Sequence, residues 1–313
     1  MMSDFMRVLC LRFIEKFTFP SICFLLFLVP ALAVPRIGIF STDLYVYERE
    51  AFGVEKFFKL PEALGHDFEV VMVDYNLIHS DYLKKNKKVP LEKLLENALE
   101  AKGVRHLILP GDVYNVHMSP LHPTSTKSHM YKALLGLVKE NKVSIFGICG
   151  GMQQFFNADG IRILNLLQMG ITEPHKKQKD PHSASNSGPH PDRLIRKVMV
   201  NPASKVGAII SQVPLEVTAN GWLILYVPEL HSEGVALDKA NLKTLRDFGY
   251  KVVGFAEDGV IEIVEDQYGN FYFQPHIESF LLEFTPEKIN ELPEKLLSSV
   301  DAAKYLLLHF VGS

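Results

Sequence analysis

The residues best equipped for chemistry in this chain are Cys149, His276 and Glu278, in that order along the sequence. Cys149 lies in Val143-Ser-Ile-Phe-Gly-Ile-Cys149-Gly-Gly-Met-Gln153 and is the one cysteine beyond the first 33 residues. Val143 to Phe146 is a short apolar run of the buried-strand kind. Gly147 comes just before the cysteine, and Gly150 and Gly151 follow it, so the stretch reads strand, abrupt turn, helix. A residue at such a turn is held in strained backbone geometry with its side chain above the sheet, which is the logic of a nucleophile elbow. The helix that follows points its first amides and positive dipole end at the sulfur, an arrangement that favours thiolate. A small core cysteine in a tight turn would fit the same residues, so the chemical reading depends on a second motif.

That motif is Asn270-Phe-Tyr-Phe-Gln274-Pro-His276-Ile-Glu278. Its aromatic part reads as a strand, and His276 and Glu278 stand just beyond the strand's end. A cysteine nucleophile needs a base to take its proton and return it to the leaving group. The base needs a carboxylate to fix its tautomer and orientation. A His-x-Glu pair is common on surfaces; its weight here comes from following an elbow. The chemistry implied is acyl transfer through a thioester. A third landmark, Leu107-Ile-Leu-Pro110-Gly111-Asp112, is a strand running into a Pro-Gly turn.

Taken together these residues resemble the class I glutamine amidotransferase superfamily, over about Pro35 to Phe280. The family's elbow, G-x-C-x-G-x-Q, is matched by Gly147, Cys149, Gly151 and Gln153. Its distal Q-x-H-P-E is matched by Gln274, His276 and Glu278, except that the proline, Pro275, precedes the histidine instead of following it. The resemblance implies a catalytic triad of Cys149, His276 and Glu278. It also implies an oxyanion hole made by the amide of Gly150 and one from Gly111 or Asp112. Gln153 and His231 fall on the substrate side. The segment from Val198 to Ile210, the stretch around His231 and the Val253–Glu265 hairpin are similar to the peptidase C26 branch, which contains γ-glutamyl hydrolases and γ-glutamyl-γ-aminobutyrate hydrolases. The usual neighbours of the branch's histidine are missing around His231. The implied activity is cysteine-dependent hydrolysis of a γ-glutamyl amide, with no metal and no organic cofactor. Two alternatives stand beside it: a glutaminase that donates ammonia to a synthase, and a non-catalytic binding or effector protein on the same fold.

Composition bounds the partners. The chain has 313 residues, is 47% hydrophobic and carries a net charge of −3. That is ordinary for a globular chain with a sizeable core, and the absence of a basic stripe argues against nucleic acid. The expected partner is a small γ-glutamyl substrate, with a homodimer left open. Residues 1–33 are of another kind. Arg7, Arg12 and Lys16 precede an uncharged run from Phe17 to Pro35, and Ala31-Leu32-Ala33 supplies an A-x-A site. This reads as a signal peptide cut after Ala33, giving an exported, periplasmic or secreted protein of residues 34–313 with no lasting membrane association. Cys10 and Cys23 would leave with the leader. A lone thiol kept in an oxidising compartment is expected to have a job.

The elements that must position the site alternate along the chain. Strands are expected at Arg36–Phe40, Phe68–Val73 and Val104–Leu109, and helices at Tyr47–Leu64 (with Pro61 breaking or kinking it), Leu91–Ala101 and Lys127–Glu140. This pattern predicts an α/β fold: a flavodoxin-like, doubly wound, mostly parallel sheet with helices on both faces. Its ligand crevice should lie beyond the strands' carboxyl ends. A β-rich C-terminal portion should follow, with runs at Val213–Val217, Trp222–Val227, Lys251–Ala256, Ile261–Val264 and Phe271–Gln274, then a helix over Pro293–Phe310. The polar, proline-rich Ile171–Arg193 reads as a loop over the substrate. Its histidines, His175, His182 and His190, match no standard metal spacing.

Overall fold

Apolar side chains alternate along the strands of this protein, and both sides find a covering layer. The computed structural model describes residues 34–43, 46, 54–116, 121–171, 194–284, 289 and 292–312. The elements below belong to one compact unit, Arg36–Ser313. Its strands are β1 (Arg36–Phe40), β2 (Glu69–Val73), β3 (His106–Leu109), β4 (Ser144–Ile148), β5 (Ile163–Asn165), β6 (Leu194–Val200), β7 (Leu223–Glu229), β8 (Glu233–Val235), β9 (Tyr250–Ala256), β10 (Ile261–Asp266) and β11 (Phe271–Phe273). Its helices are α1 (Leu60–Leu64), α2 (Tyr75–Lys84), α3 (Leu91–Lys102), α4 (Ser125–Lys139), α5 (Gly150–Ala158), α6 (Lys205–Ile210), α7 (Lys239–Asp247), α8 (Ser279–Leu282) and α9 (Glu294–Gly312).

Nine strands form one sheet in the order β2-β1-β3-β4-β11-β10-β9-β6-β7. The first five are parallel, in the doubly wound 2-1-3-4-5 arrangement. From β11 outward the pairings are antiparallel. The β-rich C-terminal portion is therefore an extension of the same sheet, and among the described residues β5 and β8 pair separately as a two-stranded ribbon.

Ile39, Ile108, Phe146, Phe271 and Phe273 face a layer built with α1, α6 and α9. Phe40, Leu107, Leu109, Ile145 and Tyr272 face the other, built with α3, α4 and α5. Two apolar faces are what a sheet covered on both sides requires. The aromatic run of β11 has a packing reason. Phe146 of β4 stacks on Phe273 with ring centroids 5.2 Å apart, and Phe310 of α9 meets Phe146 edge-on at 5.4 Å. Each fully buried phenylalanine contributes about 2–3 kcal/mol, which seats a three-residue strand firmly in the middle of the sheet.

Several elements differ from the sequence reading, among them β6 (Leu194–Val200) and α7 (Lys239–Asp247), for which no element was expected. Val213–Val217 is not a strand: Pro214 denies the run a ladder donor, Val213 is buried just beyond α6, and Val217 makes an isolated bridge to Leu223. Pro61 breaks the helix as expected, at the change from a 3-10 turn to α1. It sits in the first turn of α1, after a 3-10 turn over Glu55–Lys59, where its missing N–H costs nothing. Helix α2 was not expected; Asp74 starts it by accepting from the amides of Asn76 and Leu77. The expected leader, residues 47–53 of the expected first helix, and 172–193 of the expected loop lie outside the described residues. Among those described, no helix is long and apolar enough to cross a membrane.

Candidate active site

Three neighbouring parallel strands bring the three motifs together. Leu109 of β3 pairs with Gly147 of β4, and Ile148 of β4 pairs with Phe273 of β11. Parallel strands end at the same edge of a sheet, so Pro110–Asp112, Cys149 and Gln274–Glu278 all emerge on one rim. This is where a doubly wound sheet places its crevice.

Cys149 has φ 46° and ψ −117°. A positive φ at a residue with a Cβ costs about 1–3 kcal/mol and persists only where neighbours enforce it. The Cys149 amide donates to the Phe273 carbonyl at 2.7 Å, and its own carbonyl accepts from Gln153 at 3.0 Å to open α5. The glycines beside it are steric necessities. A Cβ on Gly150 would overlap the Asp112 main chain, and one on Gly151 would strike the Leu109 and Pro110 carbonyls. Cys149 is only 6% exposed; its sulfur lies 3.7 Å from the Leu230 carbonyl and accepts from the Gln274 amide at 3.7 Å. The Gly150 amide, in the first helical turn, has no intrahelical partner available to it.

His276 Nδ1 lies 2.7 Å from Glu278 Oε1. The displaced proline thus leaves the pair intact: the His276 amide donates to the Pro228 carbonyl at 2.9 Å, and a tight turn into α8 carries Glu278 back to the ring. Burial pushes the imidazole toward its neutral form. The carboxylate of Glu278 and then the charge of the Cys149 sulfur outweigh burial and hold its pKa well above the ordinary histidine value. Gly111 completes the contact, since a Cβ there would lie 2.5 Å from His276 Cε1.

The other expected site residues are spread around this centre. Gly111 backs the imidazole, while the Asp112 main chain covers Gly150 and its carboxylate turns inward, within reach of Lys127. Gln153 is buried; its amide donates to the Glu233 carbonyl at 2.7 Å and to Gln274 Oε1 at 3.1 Å. It therefore orients Gln274, which in turn faces the sulfur. His231 lies between the ends of β7 and β8. It is buried, with Nδ1 3.0 Å from the Glu233 carbonyl and Nε2 3.7 Å from Glu262 and 4.0 Å from Glu229. Glu229, His231 and Glu262 are the group among the described residues whose ligand atoms lie close enough to share a cation, all within 4.8 Å. Positive charge already stands nearby: Arg196 Nε is 3.7 Å from Glu229.

Sequence reasoning named Gln274 as a motif match and gave it no role; its signal was its place two residues before His276. Lys127 and Asp43 gave no signal at all, since a lysine early in a helix and an aspartate after a strand ordinarily face water.

No protein-family model and no curated protein matches the chain. Solved structures, however, resemble it in fold. A glutamine amidotransferase from Thermotoga maritima superposes with a TM-score of 0.49 at 13% identity, covering 89% of this chain and 99% of that one. The glutaminase domain of Trypanosoma brucei CTPS, solved with bound acivicin, gives 0.48 at 16% identity, covering 87% and 94%. A glutamine amidotransferase from Methylobacillus flagellatus gives 0.46 at 13%, covering 89% and 94%. The functional reading below is carried by the chain's own geometry.

Proposed function

We propose that this protein is a cysteine-dependent C–N hydrolase of the class I glutamine amidotransferase type, acting on γ-glutamyl amides as peptidase C26 enzymes do. The observation that carries the reading is His276, paired with Glu278, brought to the same sheet rim as the strained elbow cysteine by the pairing of β11 with β4. The Cys149 thiolate attacks the γ-carbonyl and forms a tetrahedral oxyanion. The Gly150 amide and the main chain at Gly111–Asp112 receive that charge. His276, as imidazolium, gives its proton to the leaving amine, and the C–N bond breaks to leave a thioester. The neutral ring then takes a proton from water as the hydroxyl adds, and collapse of the second tetrahedral species frees the acid and the thiolate. Glu278 holds the ring in orientation throughout.

A panel of γ-glutamyl amides, including poly-γ-glutamates, glutamine and γ-glutamyl amines, tests this directly. Turnover of at least one non-glutamine member, lost when Cys149 is alkylated by iodoacetamide, is the expected result. Activity confined to glutamine would favour the ammonia donor. No turnover, with slow alkylation of Cys149, would favour a binding protein.

We further propose that the protein is exported. The support is the A-x-A site at Ala31–Ala33 and the start of β1 at Arg36, just past it. N-terminal sequencing of protein from the native cell should begin at Val34. A full-length soluble chain would overturn the leader.

A further inference from the structure

A buried charge network sits directly behind the crevice. Lys127, on α4, is 1% exposed, and its ammonium pairs with the Asp112 carboxylate, which is wholly buried. The ammonium also lies 5.6 Å from the ring centroids of both Tyr75 and Tyr131. The same carboxylate accepts from the Asp43 amide at 3.0 Å and the Val113 amide at 2.8 Å. Asp43 in turn accepts from the Thr124 amide at 2.8 Å and hydroxyl at 2.9 Å, from Tyr75, and lies 3.1 Å from His122 Nδ1. Thr124 caps α4 by accepting from the Lys127 amide. The connections close a ring: Asp112, Lys127, α4, Thr124, Asp43, and back to Asp112.

A buried ion pair of this kind is a weak source of stability, because the cost of dehydrating two charges cancels most of their attraction. What the pair does supply is a fixed place for Asp112. Gln154 of α5 adds a second hold, donating to the Val113 carbonyl at 2.8 Å. The main chain of 111–112 is gripped between the imidazole at Gly111 and the first turn of α5 at Gly150. Donors that stabilise an oxyanion act only when held within a fraction of an ångström.

We propose that Lys127 is a positioning residue. It fixes Asp112, and through it the 111–113 main chain, where that main chain closes the oxyanion pocket opposite Gly150. The inference rests on the hydrolase reading above.

The test uses the full mature chain in two forms. Lys127→Met keeps the length and removes the charge. Lys127→Met with Asp112→Asn removes both charges, so that no carboxylate is left buried without its cation. Amide hydrogen exchange at 111–114 should rise at least about tenfold in both, with α4 and α5 still protected. With a γ-glutamyl amide, kcat should fall about 10²- to 10³-fold while KM changes less than about threefold. Alkylation of Cys149 by iodoacetamide should keep its parental rate, since that reaction needs no oxyanion pocket. Unchanged exchange at 111–114 overturns the proposal whatever the parent hydrolyses. Looser exchange with an unchanged kcat overturns the link to the reaction. Loss of protection throughout α4 and α5 in the charge-free double variant also overturns it, making Lys127 a structural strut. If the parent hydrolyses no amide but the exchange rises as stated, the hydrolase reading fails and the positioning of the loop stands.

Discussion

Cys149→Ala should reduce amide hydrolysis to background and leave the fold in place. The ties that hold this position are main-chain ones, to Phe273 and Gln153, and survive the change. The sulfur's own contacts, at 3.7 Å to Leu230 and Gln274, are weak. Loss of a covalent nucleophile in a triad costs on the order of 10⁶ in kcat, because the remaining groups have nothing to activate. Steady-state turnover with a thermal melt beside it checks both halves. Alanine keeps the Cβ and hence the strain at φ 46°. Cys149→Gly should be equally inactive yet melt higher than Cys149→Ala, since glycine releases part of the roughly 1–3 kcal/mol stored there. Near-parental turnover in either variant would remove Cys149 from the mechanism.

His276→Ala should cost about 10⁴-fold or more in kcat, because one ring serves as acid in the first half of the reaction and as base in the second. Glu278→Gln should cost distinctly less, since the carboxylate orients the ring and transfers no proton. Equal losses would mean that Glu278 does something more. The ring's raised pKa also gives His276→Ala a pH signature in stability. Folding favours the imidazolium, through Glu278 and the Cys149 sulfur and against burial. Its contribution is fully present below the unfolded value of about 6.5 and is lost as pH rises through the higher folded value. Urea melts of the parent and His276→Ala should differ most in mild acid and converge in alkali. A gap that widened with pH would mean that the folded site prefers the neutral ring.

The elbow was legible because its glycines are dictated by backbone contact. Gly150 and Gly151 lie against the main chain of the 109–112 segment, so their identity is written in the sequence whatever surrounds them. The His-x-Glu pair was legible for a similar local reason: both residues lie on one tight turn after β11. What could not be read depends on long-range packing. Lys127 looks like any surface lysine until α4 is laid against the 111–113 loop. His231 and Glu262 sit on different strand ends and meet only when the sheet is assembled. Val213–Val217 reads as a strand because its valines favour one, yet Pro214 removes a ladder donor and Val217 stands exposed. The helix α7 was missed for the opposite reason. Its sequence, Lys239–Asp247, is mostly polar with two buried residues, Asn241 and Leu245, and depends on Asp238 to begin it.

The position of β11 has a consequence for biosynthesis. This strand lies between β4 and β10 in the middle of the sheet, yet it is spoken for by residues 271–273, near the end of the chain. Until it docks, β4 presents an open edge beside Cys149, and the amide of Cys149 has no Phe273 carbonyl to meet. A nascent or truncated chain that stops short of Phe271 therefore carries an unpaired central strand, the kind of surface that invites pairing between molecules. The nucleophile is translated more than a hundred residues before the strand that shapes it. Competence for chemistry arrives only once residues 271–278 are made and docked, and their loss should yield aggregates instead of a slower enzyme.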